Sequence, residues 1–287
     1  MKHETAEARL DLGHREDYYV RKPAADTLRV SNTVLDVLKR GDVATALSIR
    51  LVRTPEIVLL ARSAGFDAVF VDLEHSTITD DATSQINMTA LAAGITPLIH
   101  VRSAYAETIG AGLDGGALGI IVPHVDSVED AEAAVKAARY APRGERGISS
   151  ALPFFDFRAV QPEAATAAVD AATLVIAMVE SQTALDRIDE IAAVDGVDVL
   201  LVGANDLTAD IGVPGHHGSP EAWAAYRRVI GAAEAAGKFA GIGGVPIEGG
   251  VLREVIQAGM RFVSAGPEIR HLGRAVTAWN HEVRSAM

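Results

Sequence analysis

Two carboxylates, Glu180 and Asp206, each close a short and almost continuous apolar run, Leu174-Val-Ile-Ala-Met-Val and Val197-Asp-Val-Leu-Leu-Val-Gly-Ala-Asn. About one helix's length separates the runs, and from Ser181 to Val194 it carries Leu185, Ile188 and Ile191 on one stripe. Apolar runs of this kind suit strands buried on both faces, so the segment reads as a βαβ unit with a carboxylate at the end of each parallel strand. Functional groups in parallel α/β folds gather at that edge. Two oxygen ligands side by side there are suited to a hard divalent cation with positions left for substrate. Each carboxylate also has a plainer reading: Asp206 could cap a helix, and Glu180 could pair with an arginine.

The same edge is expected to collect further groups. Asp72, Glu74 and His75 leave a second strand, His100 and Arg102 a third, and His124 a fourth. Asp72 and His75, three residues apart across a turn, can form a carboxylate–imidazole dyad in which His75 is a general base near neutral pH. His216 and His217, in Pro-Gly-His-His-Gly, read as a surface loop. Gly241-Ile-Gly-Gly244 and Ala265-Gly-Pro267 follow the seventh and eighth strands and read first as tight turns close to the barrel mouth, with phosphate binding by backbone N–H groups as the minority alternative. Lys238 lies too early in its strand to help.

Positioning these groups takes a regular alternation of elements. Strands are expected over 43–49, 68–73, 97–102, 118–122, 174–180, 198–202, 238–242 and 261–264, with helices between them and a last helix over 267–285. Ser31 reads as the N-cap of a helix over 33–39 that Gly41 ends. Eight such units make a single α/β (β/α)8 TIM barrel the economical architecture. A doubly wound sheet is the competitor, without a Gly-x-Gly-x-x-Gly after an early strand to favour it. Residues 1–28 lack periodicity and read as an amino-terminal arm, and 29–287 as the barrel domain. The interval 141–172 is expected to hold a long loop and a short extra helix.

Composition narrows the chemistry. Of 287 residues, 49% are hydrophobic but only 5% aromatic, so the core must pack small and β-branched side chains. A net charge of −12 argues against nucleic acid and anionic membranes. With no cysteine, disulfides, thiolate catalysis and zinc–thiolate sites are excluded. No uncharged apolar run is long enough to span a bilayer, and the first thirty residues have no apolar leader core, so a cytoplasmic location is the expectation.

Several ordered stretches resemble the HpcH/HpaI aldolases from about residue 32 to 270. They are Gly65-Phe-Asp-Ala-Val-Phe-Val-Asp-Leu-Glu-His75, Leu113-Asp-Gly-Gly-Ala117, and Ile121-Val-Pro123 with Ala138-Arg-Tyr-Ala-Pro-Arg-Gly-Glu-Arg-Gly147. Val179-Glu180 and Gly196-Val-Asp198 through Gly203-Ala-Asn-Asp-Leu207 continue the pattern. The resemblance implies a barrel enzyme using Mg2+, Mn2+ or Co2+, with Glu180 and Asp206 as ligands and Asp72 and His75 as the dyad. It further implies that backbone amides around Gly203, Ala204, Asn205 and Asp206 hold the substrate carboxylate. Asp114 would reach a neighbouring subunit's site in a homo-oligomer built as a trimer of dimers. The family's third-strand arginine, which contacts the keto oxygen, falls at His100 here; either His100 itself serves that oxygen or, the favoured expectation, Arg102 takes over from the same face of the strand. Met178 stands where a glutamine is common.

The activity implied is class II aldol cleavage of a 4-hydroxy-2-oxo acid to pyruvate, or a close analogue, and an aldehyde through a metal-stabilised enolate. His75 would act on the C4 hydroxyl. The absence of a rim lysine argues against a Schiff-base route. Decarboxylation of an oxaloacetate-like acid, another lyase reaction on the same metal site, and a lapsed barrel that binds sugar acids without turnover are the alternatives.

Overall fold

The computed structural model describes residues 28–104, 106–149 and 151–287. The arm expected over 1–28 falls outside them except for Leu28, which packs with Val30 against Tyr140, Leu152 and Phe155. Eight parallel strands close a barrel in chain order: β1 Ala44–Ile49, β2 Ala68–Asp72, β3 Thr96–His100, β4 Gly119–Val122, β5 Leu174–Val179, β6 Val199–Gly203, β7 Phe239–Gly243 and β8 Met260–Pro267. Helices alternate with the strands on the outside. The (β/α)8 expectation holds.

Strand alternation divides the core. Ala46, Phe70, Leu98, Ile121, Ile176, Val199, Leu201 and Phe262 fill the barrel interior, while the intervening residues pack beneath the helices. The helix Thr33–Lys39 plugs the amino-terminal end of the barrel with Val34, Val37 and Leu38. Its cap is Asn32, not Ser31: the Asn32 side-chain oxygen accepts from Leu35 N–H. The Asn32 amide also donates to the Ala172 and Leu118 carbonyls, tying the plug to the barrel floor, which a serine hydroxyl could not reach.

Local differences from expectation have local causes. The helix expected between Glu180 and Asp206 is two, Gln182–Asp186 and Ile188–Ala193, parted where Arg187 leaves helical geometry. The helix expected near 247–258 after β7 begins at Val251, because Gly249 and Gly250 hold positive φ. A short helix, Ala204–Asp210, follows β6 directly. Among its described residues the long interval holds the 3-10 turn Pro153–Phe155 and the helix Pro162–Ala172.

Candidate active site

Climbing the barrel interior toward the carboxyl ends of the strands, inward positions change from apolar to polar. Two residues above Phe70 stands Asp72, above Leu98 His100, above Met178 Glu180, and above Leu201 Gly203. These groups line a cavity with Ser48, Arg50, His75, Asn205, Asp206, Gly244, Ser264 and Arg270. Its accessible space is about 120 Å³, suited to a small acid rather than a nucleotide. A larger surface groove beside Lys136 and Arg143 has both of these cations paired at the surface, Lys136 with Glu145 at 2.9 Å and Arg143 with Asp195 at 3.4 Å.

Register brings the acid and imidazole groups together. Asp72 and His100 are Cα partners across β2 and β3, which sets His100 Nδ1 3.3 Å from Asp72 Oδ1. His100 Nε2 lies 3.1 Å from Glu74 Oε2, an ion-pair approach off the line of a well-formed hydrogen bond. Burial alone would lower the His100 pKa, but contact with Asp72 and Glu74 overrides it and pushes it up to about 9. His100 is therefore an imidazolium at neutral pH. Burial works to raise the Asp72 carboxyl, yet His100, the His75 N–H and Arg50 hold it well below the usual carboxylate range. Contact with His100 first, opposed by burial, also lowers Glu74.

The dyad therefore differs from the one expected. Asp72 Oδ1 accepts the backbone N–H of His75 at 2.9 Å and takes His100, not the His75 ring, as its imidazole partner. The cause is the turn: three residues after a strand end, the chain presents its N–H to the carboxylate and carries the side chain onward. The half-exposed His75 ring instead meets Glu74, with Nε2 3.2 Å from Oε2. Glu74 also lies 3.4 Å from His124 Nε2 through its other oxygen, so one carboxylate serves three imidazoles.

Glu180 and Asp206 do come together. Val179 and Val202 are register partners, placing Glu180 beside Gly203. A Cβ at 203 would overlap the Glu180 carboxylate, so glycine there opens the cradle in which it sits. Burial raises the Glu180 pKa, the Asp206 charge adds to this, and the backbone N–H of His124, 3.1 Å away, opposes both. His124 holds that N–H in place with a φ of 53°, a strained value for a residue with a side chain. Among the described residues the Asp206 carboxylate has no hydrogen-bond or ion-pair partner. No cluster of three or more His, Asp or Glu side chains among them is arranged as a complete metal site. Two adjacent, mutually repelling carboxylates fit a hard cation that keeps water and substrate oxygens as its other ligands.

Arg102 does not share the site. β3 ends at His100, the face alternation ends with it, and Arg102 is exposed and outside the cavity lining. Asp114 ends the helix Ala106–Asp114 away from the cavity, where its carboxylate meets the buried Arg146 at 2.8 Å. Gly203, Ala204, Asn205 and Asp206 all line the cavity. They open a helix whose first N–H groups have no intrahelical acceptor.

The sequence reading missed Arg50 and Glu268. Arg50 follows β1, and its Nε donates to Asp72 Oδ2 at 2.6 Å. Buried Glu268 opens the last helix and accepts the backbone N–H groups of Arg50, Leu51 and Val52, pinning the turn that carries Arg50. A cation immediately after the first strand was the available signal for Arg50; Glu268, 218 residues away, offered none.

The profile of the HpcH/HpaI aldolase/citrate lyase family matches residues 52–275. A 4-hydroxy-4-methyl-2-oxoglutarate aldolase of Hapsidospora irregularis is 38% identical over 75% of this chain and 80% of its own length. A hydroxypyruvate/pyruvate aldolase of Paraburkholderia phytofirmans is 32% identical over 89% and 98%. The crystal structure of an HpcH/HpaI aldolase from Desulfitobacterium hafniense superposes with a TM-score of 0.82 at 26% identity, covering 90% of this chain and 98% of that one.

Proposed function

Since this chain belongs to the HpcH/HpaI aldolase/citrate lyase family of carbon–carbon lyases, we propose that it cleaves a 4-hydroxy-2-oxo acid reversibly into pyruvate, or a close analogue, and an aldehyde. The observation that carries the reading is the pairing of Glu180 and Asp206 in one small cavity with a bank of imidazoles. Glu180 and Asp206 would hold a divalent cation (Mg2+, Mn2+ or Co2+), which when bound supplies Lewis acidity to the 2-oxo acid.

The protein's own residues account for the rest. Asn205 and Asp206 line the cavity, and their first-turn N–H groups, which have no intrahelical acceptor, would take the substrate carboxylate. His75, its backbone fixed by Asp72 and its ring by Glu74, accepts the proton of the C4 hydroxyl. The C3–C4 bond breaks, its electron pair passes toward the keto oxygen, and the proton held by His75 is returned to C3. His100, an imidazolium between Asp72 and Glu74, places a fixed positive charge at the cavity floor as negative charge develops on the substrate. Asp114, outside the cavity and paired with Arg146 of its own chain at 2.8 Å, would reach a neighbouring subunit's site in a trimer of dimers.

Pyruvate release from a panel of 4-hydroxy-2-oxo acids, with Mg2+ or Mn2+ and after chelation, tests the proposal. Metal-dependent release is expected. Full activity in a chelated sample would refute the role given to Glu180 and Asp206.

A further inference from the structure

The cavity is divided by charge. Glu180 ends β5 and Asp206 follows β6, whereas the two guanidiniums that line the same cavity, Arg50 and Arg270, come from the opposite side. In a closed eight-stranded order β5 stands across from β1, and Arg50 leaves β1. Arg270 sits in the first turn of the helix after β8, whose Pro267 is the register partner of Ser48 on β1. Bonds from the Arg50 and Leu51 N–H groups to Glu268 hold the two segments together.

Neither arginine is consumed where it stands. Only Nε of Arg50 is engaged, with Asp72, and among the described residues its terminal nitrogens have no partner. Arg270 forms no ion pair among the described residues, since nearby Glu248 is taken by Arg274. Small residues at the ends of β7 and β8 keep the adjoining wall open: Gly243, Gly244, Ser264 and Gly266 line it. Gly266 has a φ of 81°, and a Cβ built there would lie 4.0 Å from Arg270 Nη1, against the guanidinium. In a chain with a net charge of −12, two incompletely paired guanidiniums facing one small cavity are built for an anion.

We propose that Arg50 and Arg270 form a second anion subsite that binds a carboxylate on the aldehyde-derived half of the substrate, making the preferred substrate class 4-hydroxy-2-oxo diacids. The inference rests on the aldolase reading. A 2-oxo acid held at Glu180, Asp206 and the neighbouring amides sends C4 and its substituents across the barrel toward β8 and β1. A carboxylate there meets planar donors that match its two oxygens, which a neutral aldehyde residue would leave unpaired.

Two readouts separate this inference from the reaction assigned above. In the condensation direction, with pyruvate as donor, kcat/KM is compared for glyoxylate and for acetaldehyde. Arg270→Met and Arg50→Met are each expected to lower the glyoxylate-to-acetaldehyde ratio by about 10- to 100-fold, the worth of a hydrogen bond to a charged group. Arg270→Lys should restore part of the ratio. In the second readout, calorimetric binding of succinate and of butyrate is measured without turnover. Wild type should prefer succinate, and Arg270→Met, at an exposed position where folding is not at risk, should lose that preference. Unchanged ratios together with unchanged succinate preference would overturn the subsite. Absence of any condensation by wild type would overturn the aldolase reading, and succinate binding would still decide the subsite.

Discussion

Replacing His100 by glutamine removes a positive charge held between two carboxylates, and its effect on stability should depend on pH in a defined way. The His100 pKa is pushed up from 6.5 to about 9 in the folded protein, with the side chain almost fully buried. One pKa unit corresponds to about 1.4 kcal/mol, so the imidazolium contributes on the order of 3 kcal/mol. Because the folded value lies above the unfolded one, that stabilisation is complete below about pH 6.5. It is lost as pH rises through about 9. Wild type and His100→Gln are compared by denaturant unfolding in chelator from pH 6 to pH 10. Their difference in unfolding free energy should shrink by about 3 kcal/mol across the range, other titrating groups cancelling between the two proteins. At pH 6 the variant should be the less stable by a similar amount or more, since Asp72 and Glu74 lose a shared partner. Parallel profiles for the two proteins would refute the charged state of His100 and, with it, its role at the cavity floor.

Three other outcomes are expected. His75→Ala should lower cleavage by roughly 10² to 10⁴, as for a lost general base, while leaving Mn2+ binding in place; an equal loss of metal affinity would make His75 a ligand instead. Mn2+ at a hundredfold excess over its Kd should stabilise wild type by about 3 kcal/mol in thermal unfolding, and this gain should vanish in Glu180→Gln and Asp206→Asn; gains equal to wild type's would place the cation elsewhere. The last helix, Glu268–Ser285, carries exposed Ile269, Leu272, Val276, Trp279 and Val283 at three- and four-residue spacing, one apolar stripe left uncovered by its own chain. Light scattering should therefore report an oligomer for wild type and a smaller species for Leu272→Glu combined with Trp279→Glu, and a monomeric wild type at micromolar concentration would contradict the assembly.

The barrel was legible because its evidence is local and repeated. Each strand is a short apolar run, each helix a stripe, and errors of one or two residues at the ends do not change the count of eight. Glu180 and Asp206 were legible for the same reason: each stands immediately beyond a buried run, and parallel pairing of Val179 with Val202 makes them neighbours. What was not legible depends on register and on contacts remote in sequence. The Asp72–His75 spacing is real, yet it specifies a backbone bond, while the imidazole partner of Asp72 comes from the adjacent strand 28 residues later. The position of Arg50 is set by Glu268, 218 residues away along the chain.

Arg102 shows how a correct rule can lead to a wrong placement. Residues two apart on a strand share a face, so Arg102 belongs beside His100 only while the strand continues. Thr96 through His100 pair with Ala68 through Asp72, and both strands stop at that pair. Beyond it, Val101 still donates its N–H to the Ile121 carbonyl, which keeps Val101 buried and turns the chain toward the loop. Arg102 then points to solvent, and the inward position at the top of β3 is left to an imidazole. An imidazole is a useful cation at neutral pH only if something raises its pKa. Asp72 and Glu74 do so, and Arg50, paired with the same Asp72 from the end of the neighbouring strand β1, adds an always-charged guanidinium. The positive charge expected on the third strand is thus divided between β3 and β1, with Asp72 as the group that joins them.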